Sequence, residues 1–210
     1  PKAIRNGIVD LTSLNGINLG IGSYLTRTPL TYKCNLGGVR TIGSTGNYIS
    51  ISSALSAITA GGMSSNLTLE LLPNYTSISE SFPITIDPTS CSLDKFRLII
   101  RPEKNSTNLS ISASNTNSIL SFNKGDNVFI DGRPGGNGNV SQLAIINSNS
   151  NAPIVEFKND ACYNSLKYVS FSGGNTSVLD GLIVFLGTSG IGTIGNIGAV
   201  SYTHLTLPTI

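Results

Sequence analysis

The chain has 210 residues, a formal net charge of +2 and only 11% charged residues. This charge content is too low for a disordered acidic or basic tail, and the 13 Lys and Arg residues are scattered, so no nucleic-acid partner is predicted. No apolar run reaches about 18 residues, so no membrane span is predicted either. Most of the polarity comes from Ser, Thr, Asn and Gly, which disfavour helices and suit short strands joined by tight turns. We therefore predict an all-β fold.

Residues 1–37 are interpreted as an N-terminal extension or linker, because Gly7, Gly16, Gly20 and Gly22 interrupt every apolar run. The one helix is predicted over Ser50–Ala60, where apolar residues at i, i+4 and i+7 share a face and a Gly-Gly pair follows. A lone amphipathic helix ahead of a run of strands suits a cap over the open end of stacked strands, which would otherwise expose core and unpaired backbone.

The strand candidates that follow are short, apolar and separated by Asn, Ser, Gly or Pro. They are Leu67–Leu72, Phe82–Ile86, Phe96–Arg101, Leu109–Ser112, Ile119–Phe122, Val128–Asp131, Leu143–Ile146, Ile154–Phe157, Lys167–Ser172 and Leu182–Leu186. The 22 Asn residues are consistent with stacked turns, where Asn side chains can form ladders.

One pair of strands repeats. The segments Ile119–Phe122 and Val128–Asp131 recur as Ile154–Phe157 and Val169–Ser172, after 35 and 41 residues respectively. The second copy is therefore expected to bulge by six residues around Ala161–Leu166. A repeated strand pair with turns of variable length is typical of a solenoid. A hairpin between the two strands of a pair would contradict this interpretation.

Several segments carry a resemblance to a known family. They are residues 41–48 before the helix, then 67–72, 80–86, 98–102 and 128–132. In this order they resemble the start of a right-handed parallel β-helix domain of the pectin-lyase-like superfamily, and more narrowly the large secreted bacterial surface proteins that contain such domains. The resemblance implies a β-helix (solenoid) fragment over residues 38–199, truncated at its C-terminus and capped by one N-terminal helix. It also implies an extracellular or cell-surface location and a monomeric part of a longer multidomain chain.

The C-terminus shows a second resemblance. Residues 200–209 resemble a translated transposase adapter from sequencing libraries, so residues 200–210 are predicted to be a non-native tail. The alternative is a genuine final strand. The only histidine, His204, lies in this segment.

Two glycine-rich motifs are read as turns. The segment Gly190–Gly195 fits G-x-G-x-x-G, but neither a helix start nor a later acidic residue follows it, as a dinucleotide site requires. The segment Gly135–Val140 partly matches a calcium-binding repeat, but it lacks the carboxylate that the repeat needs. No cofactor or metal ligand is therefore predicted. Cys34, Cys91 and Cys162 are interpreted as buried apolar residues, with a disulfide between two of them left open.

No catalytic residue is predicted. Nucleophilic triads need a base, and the only histidine lies in the tail. The resemblance implies that hydrolases of the superfamily would use grouped aspartates with a histidine, and lyases a carboxylate-bound calcium with Arg or Lys as base. The acidic residues here are dispersed along the sequence.

The candidate binding surface follows from strand alternation. If Leu98, Val128 and Val169 point inward, the neighbouring side chains point outward and stack between strands. One predicted column contains Arg101, Asp131 and Ser172, beside another with Ile99, Phe129 and Ser170. The candidate glycan-facing residues are Arg97, Arg101, Phe129, Asp131 and Tyr168, since aromatic faces and planar hydrogen-bonding groups suit sugar rings. The alternative is an ordinary solvated sheet with weak ion pairs.

Three alternative functions are therefore considered, in order of preference. The first is a secreted or surface-displayed, non-catalytic module that binds polysaccharide or surface glycan, or acts in an adhesin. The second is the N-terminal part of a polysaccharide lyase or glycoside hydrolase whose catalytic coils lie beyond Ala199. The third is a structural spacer.

Overall fold

The computed structural model describes residues 34–87, 95–173 and 182–187, together with the backbone of three two-residue strands. Most of the predicted extension 1–37, most of the Gly190–Gly195 motif and the predicted tail 200–210 lie outside the described residues, as does Cys91.

The helix and strands are named in chain order. Their bounds are β1 Ile4–Arg5, β2 Ile8–Val9, β3 Leu36–Ile42, α1 Ile51–Gly61, β4 Met63–Leu71, β5 Ile84–Ile86, β6 Leu98–Pro102, β7 Leu109–Ala113, β8 Leu120–Asn123, β9 Val128–Asp131, β10 Leu143–Asn147, β11 Val155–Lys158, β12 Ser165–Lys167, β13 Val169–Gly173, β14 Ile183–Gly187 and β15 Gly190–Ile191. Two 3₁₀ turns, Ser77–Ser79 and Pro134–Gly136, lie in the connections.

Three sheets hold almost all of these strands. The first sheet has the order β12-β9-β6-β4-β3, the second β15-β14-β11-β8-β5 and the third β13-β10-β7. Every pairing within them is parallel except β14 with β15, and β1 pairs antiparallel with β2 in a separate small sheet. From β6 to β14 the chain visits the first, third and second sheets in turn. The prediction of an all-β chain with parallel sheets and one helix is confirmed.

Apolar residues at alternate strand positions form the core between the sheets. In β6, Leu98 and Ile100 are buried, and they align with the buried Val128 and Ile130 of β9. This alternation follows from the two-residue period of a strand, and it confirms the inward positions predicted for these two strands.

Helix α1 follows β3, the first strand of the parallel sheets. The side chain of Ser50 accepts a hydrogen bond from the Ser53 backbone N–H, and Ile51, Leu55 and Ile58 are buried, as their spacing predicts. The helix packs against β3 and β5, the edge strands of the first and second sheets. Within the described part of the chain, no helix has the length and apolar character needed to cross a membrane.

The turns repeat as well as the strands. Lys124 and Asn159 follow β8 and β11 and both adopt positive φ, at 57° and 54°. Beside them, the side-chain amide of Asn159 donates to the side-chain oxygen of Asn123 over 2.6 Å. This contact joins two neighbouring turns but is not a step of the predicted Asn ladder, because Asn123 aligns with Lys158 and the position equivalent to Asn159 is Lys124. The buried Asn147 instead donates to three backbone carbonyls and so fixes one turn.

The predicted repeat is correct in its first strand and wrong in its second. Strand β8 pairs with β11, as predicted, and its successor β9 lies in another sheet rather than in a hairpin with it. However, β9 pairs with β12, whereas β13 pairs with β10. The predicted strand Lys167–Ser172 is broken at Tyr168, where φ is +51° and the chain leaves the first sheet for the third. Residues 161–166 therefore lead into β12 and do not form a bulge before Val169.

The two cysteines inside the described ranges differ in state. Cys34 is disulfide-bonded, so the possibility of a disulfide left open by the sequence is realised. Cys162 carries a thiol that donates to the carbonyl oxygen of Asp160 over 2.8 Å. The interpretation of the cysteines as simple buried apolar residues is therefore wrong for Cys34, and Cys162 is only partly buried.

Candidate functional site

The outer face of the first sheet brings together four of the five predicted binding residues. In β6 and β9, Ile99 aligns with Phe129. Because side chains alternate along a strand, Arg97 and Arg101 share this face with Phe129 and Asp131. We call this surface, together with the charged neighbours described below, the sheet face.

A row of alternating charges crosses the sheet face from strand to strand. Glu70 aligns with Arg101. The Nε and Nη2 of Arg101 both donate to the Oε1 of Glu70, over 3.0 and 2.7 Å. Asp131 follows the Ile100–Ile130 pair, so it comes next to Arg101 in the row. On its other side Asp131 aligns with Lys167, and the Lys167 Nζ lies 3.4 Å from the Asp131 Oδ2. The parallel register thus places acid beside base, although partly exposed pairs of this kind are each worth about 1 kcal/mol or less.

Asp131 is the most constrained member of the row, with only 7% of its side chain exposed. Its Oδ1 accepts from the Arg133 backbone N–H and Nε, over 3.2 and 2.9 Å, and its Oδ2 accepts from the Arg133 Nη2 over 2.7 Å. Burial raises the pKa of Asp131, but these bonds and the charges of Lys167 and Arg133 outweigh it and hold the pKa below its usual value. The carboxylate is therefore ionised at neutral pH and is occupied by its own neighbours.

Two aromatic rings each carry a stacked guanidinium. The guanidinium carbon of Arg97 lies 4.0 Å from the ring centre of Phe129, and that of Arg133 lies 4.5 Å from the ring centre of Tyr168. Such cation–π contacts fix the orientation of both the ring and the cation. Tyr168 follows β12 at the turn, so it lies at the edge of the sheet face and not in its strands.

The predicted positions of Ser170 and Ser172 next to β9 are wrong. Ser170 and Ser172 belong to β13 in the third sheet, where they align with Ala144 and Ile146. Their predicted places next to β9 are held by residues of β12, because the sequence alignment of the repeat is incorrect after its first strand.

Sequence reasoning did not identify Glu70, Arg133 and Lys167 as members of this site. Glu70 and its partner are 31 residues apart, and only the strand register connects them. Lys167 was missed because the predicted repeat placed Val169–Ser172, and not β12, next to β9. Arg133 could have been found, because it directly follows the Asp131-Gly132 pair at the end of β9.

The glycine-rich loop after β9 rests against the cations of the sheet face. Arg133 Nη1 donates to the carbonyl oxygen of Gly138 over 3.2 Å, and a side chain added at Gly136 would meet Arg101. Carbonyl oxygens beside two guanidinium groups are poorly placed to hold calcium. Among the residues that the structure describes, no group of three or more His, Cys, Asp or Glu side chains is arranged to hold a metal ion.

Comparisons with known proteins found no match: no family model matches the chain, and no curated protein or solved structure matches it significantly. The resemblance to the pectin-lyase-like superfamily therefore stays a prediction.

Proposed function

We propose that the three parallel sheets wind as a right-handed β-helix, and that the chain is part of a secreted or cell-surface bacterial protein that binds polysaccharide without altering it chemically. The order in which the strands visit the sheets supports the coil, because parallel neighbours require the chain to return to the same end before each new strand. A crystal structure with a left-handed path between the sheets would contradict this part of the proposal.

The observation that carries the binding function is the composition of the sheet face. It combines four cationic side chains (Arg97, Arg101, Arg133 and Lys167) with two acidic ones and an aromatic ring. The surplus of positive charge favours a polysaccharide that carries carboxylates, since guanidinium groups pair with them in planar geometry. The stacked contacts hold Arg97 and Arg133 in place before a ligand arrives, which lowers the entropy cost of binding.

Affinity electrophoresis through gels containing polygalacturonate or alginate tests this function. The full chain should be retarded, and Arg97→Gln should weaken binding about fivefold, on the order of 1 kcal/mol. The control Lys124→Asn removes one charge from a turn after β8, at a positive φ that Asn tolerates, and should bind like the parent chain. Retardation should also fall as salt is added. If neither polymer retards the chain, the acidic-polysaccharide hypothesis fails.

A structural spacer is the second candidate, and a specific observation favours it. Glu70 and Asp131 are already bonded to cations of the same chain, so the charged row can act simply to fix the register of the sheet. A spacer predicts no binding to any polysaccharide and no response to Arg97→Gln other than a small change in stability.

The lyase or hydrolase alternative needs carboxylates that converge on a substrate or a metal ion. On the sheet face, the two carboxylates are each paired with Arg and lie on either side of Arg101 in the row. They therefore do not support that chemistry here.

A further inference from the structure

The third sheet ends before both of its neighbours, and this leaves a groove. Strand β7 is the edge of the third sheet, whereas the first sheet continues past β6 to β4 and β3, and the second continues past β8 to β5. Between β4 and β5 the chain passes the edge of β7 as an irregular segment, residues 72–83, with one 3₁₀ turn at Ser77–Ser79. The groove lies between this segment and β7.

The irregular segment is fixed in place at two points. The Ser77 hydroxyl donates to the carbonyl oxygen of Ser110 over 3.0 Å and accepts the backbone N–H of Ser112 over 2.9 Å. The Glu80 carboxylate accepts the backbone N–H groups of Ile51 and Ser52 at the start of α1, over 2.7 and 2.9 Å. The groove is therefore formed before a ligand binds, which lowers the entropy cost of binding.

Glu80 is the acidic residue among those that line the groove, and its carboxylate is already hydrogen-bonded within the chain. Both its oxygens accept N–H groups of α1, and Oε1 also accepts the Tyr75 hydroxyl over 3.0 Å. Burial, followed by the charge of Glu80 and this hydrogen bond, raises the pKa of the Tyr75 phenol, so Tyr75 remains a donor. Among the described residues, no lysine or arginine lines the groove, and both carboxylate oxygens of Glu80 are held by N–H groups of α1, so the lining does not favour an anionic ligand.

The rest of the lining suits a neutral, hydroxyl-rich ligand. The cavity has a volume of about 620 Å³, within the range of small-ligand sites of about 300–1,000 Å³. Thr107, Asn108 and Ser110 present hydroxyl and amide groups, while Phe82 and Ile78 give apolar surface. Ile78 is 92% exposed, so it is an apolar side chain for which the described fold provides no cover.

We propose that this groove binds a neutral oligosaccharide, at a site separate from the sheet face. The proposal rests on the proposed polysaccharide-binding function for the class of its ligand. The sugar would place the apolar face of a ring on Ile78 and direct its hydroxyl groups to Asn108 and Thr107. An extended peptide added to the edge of β7 fits less well, because Ser77 already occupies the Ser110 carbonyl and the Ser112 N–H that such a strand would use.

Isothermal calorimetry on the full chain tests the site with cellohexaose, xylohexaose, mannohexaose and chitohexaose as neutral probes and a galacturonate hexamer as the acidic probe. At least one neutral hexamer should bind, and Ile78→Ser and Asn108→Gly should each weaken it about tenfold. Ile78 is exposed and glycine accepts the φ of +53° at residue 108, so both variants should fold. Val140→Ser, an exposed apolar residue that does not line the groove, is the matched control.

The outcomes separate this inference from the proposed function. Binding of the galacturonate hexamer that Arg97→Gln weakens, with no neutral hexamer bound, overturns the groove site and retains the sheet face. Neutral binding that Ile78→Ser and Asn108→Gly leave unchanged also overturns the groove site. Binding of an extended peptide that depends on Ile78 overturns the ligand class. If no probe binds, both proposals fail.

Discussion

A column of phenylalanines inside the second sheet provides the sharpest test of the register. Phe122, Phe157 and Phe185 align across β8, β11 and β14. The ring centres of Phe122 and Phe157 are 4.5 Å apart, and those of Phe157 and Phe185 are 4.9 Å apart, with nearly parallel planes. Phe157 therefore stacks on both sides, whereas the other neighbour of Phe122 in the column is Ile86.

The substitution Phe157→Leu keeps an apolar side chain but removes two ring pairs, and Phe122→Leu removes one. Each pair contributes about 0.5–1.5 kcal/mol beyond the burial of its area. Both residues are essentially fully buried, so the loss of apolar burial should be similar for the two variants. We therefore expect Phe157→Leu to lower the free energy of unfolding by about 1 kcal/mol more than Phe122→Leu does.

Urea unfolding followed by circular dichroism measures this difference, and the melting temperature gives an independent value. For a chain of this size, about 1 kcal/mol corresponds to about 2–4 °C in Tm. Phe122→Leu is the matched control, since it makes the same change at the same depth in the same column. An equal or larger loss for Phe122→Leu would show that ring stacking between strands does not contribute as argued.

Three further predictions concern polar groups. Glu80→Gln should lower the free energy of unfolding by about 2 kcal/mol, because an amide cannot accept all the N–H donors at the start of α1. The control Glu103→Gln, in a surface turn, should lower it by less than about 0.5 kcal/mol. Denaturant unfolding of both variants tests this prediction. Ser118→Ala should be neutral or stabilising by up to about 1 kcal/mol, since the buried Ser118 hydroxyl has no hydrogen-bond partner in the described part of the chain. Ser121→Ala should destabilise by about 1–2 kcal/mol, because the Ser121 hydroxyl donates to Glu156. A lower Tm for Ser118→Ala than for Ser121→Ala would contradict this prediction. Because the pKa of Asp131 is lowered in the folded chain, its ion pairs should stabilise the fold above about pH 4 and lose that effect as the pH falls through the folded pKa. Asp131→Asn should therefore be less stable than the parent at pH 7, and a gap that persists unchanged at pH 2 would contradict this.

The strand cores could be predicted from the sequence because their signal is local. Alternating apolar residues identify the inward positions of β6 and β9 without any knowledge of the neighbouring strands. Helix α1 was predictable for the same reason, with its apolar spacing and its terminal glycines. Burial pattern and element type thus follow from short stretches of chain.

The register could not be predicted, because it depends on turn conformations that the residue types conceal. Asn108 and Tyr168 both precede strands of the third sheet and both have positive φ, at 53° and 51°. Asparagine adopts this conformation readily and marks the first turn, but tyrosine does so rarely and gives no such signal. Gly132, next to β9, accommodates the turn, because a Cβ there would overlap the carbonyl oxygen of Tyr168.

The connections between the first and third sheets differ in length. Tyr168 alone joins β12 to β13, so one residue is enough to make this turn. The equivalent connection 103–108 instead supplies Thr107 and Asn108 to the groove, and the connection 132–142 supplies Arg133 and a loop that covers Arg101. Neither longer connection is needed to continue the sheets, and each lies at one of the two proposed binding surfaces, where binding residues on connecting loops are common.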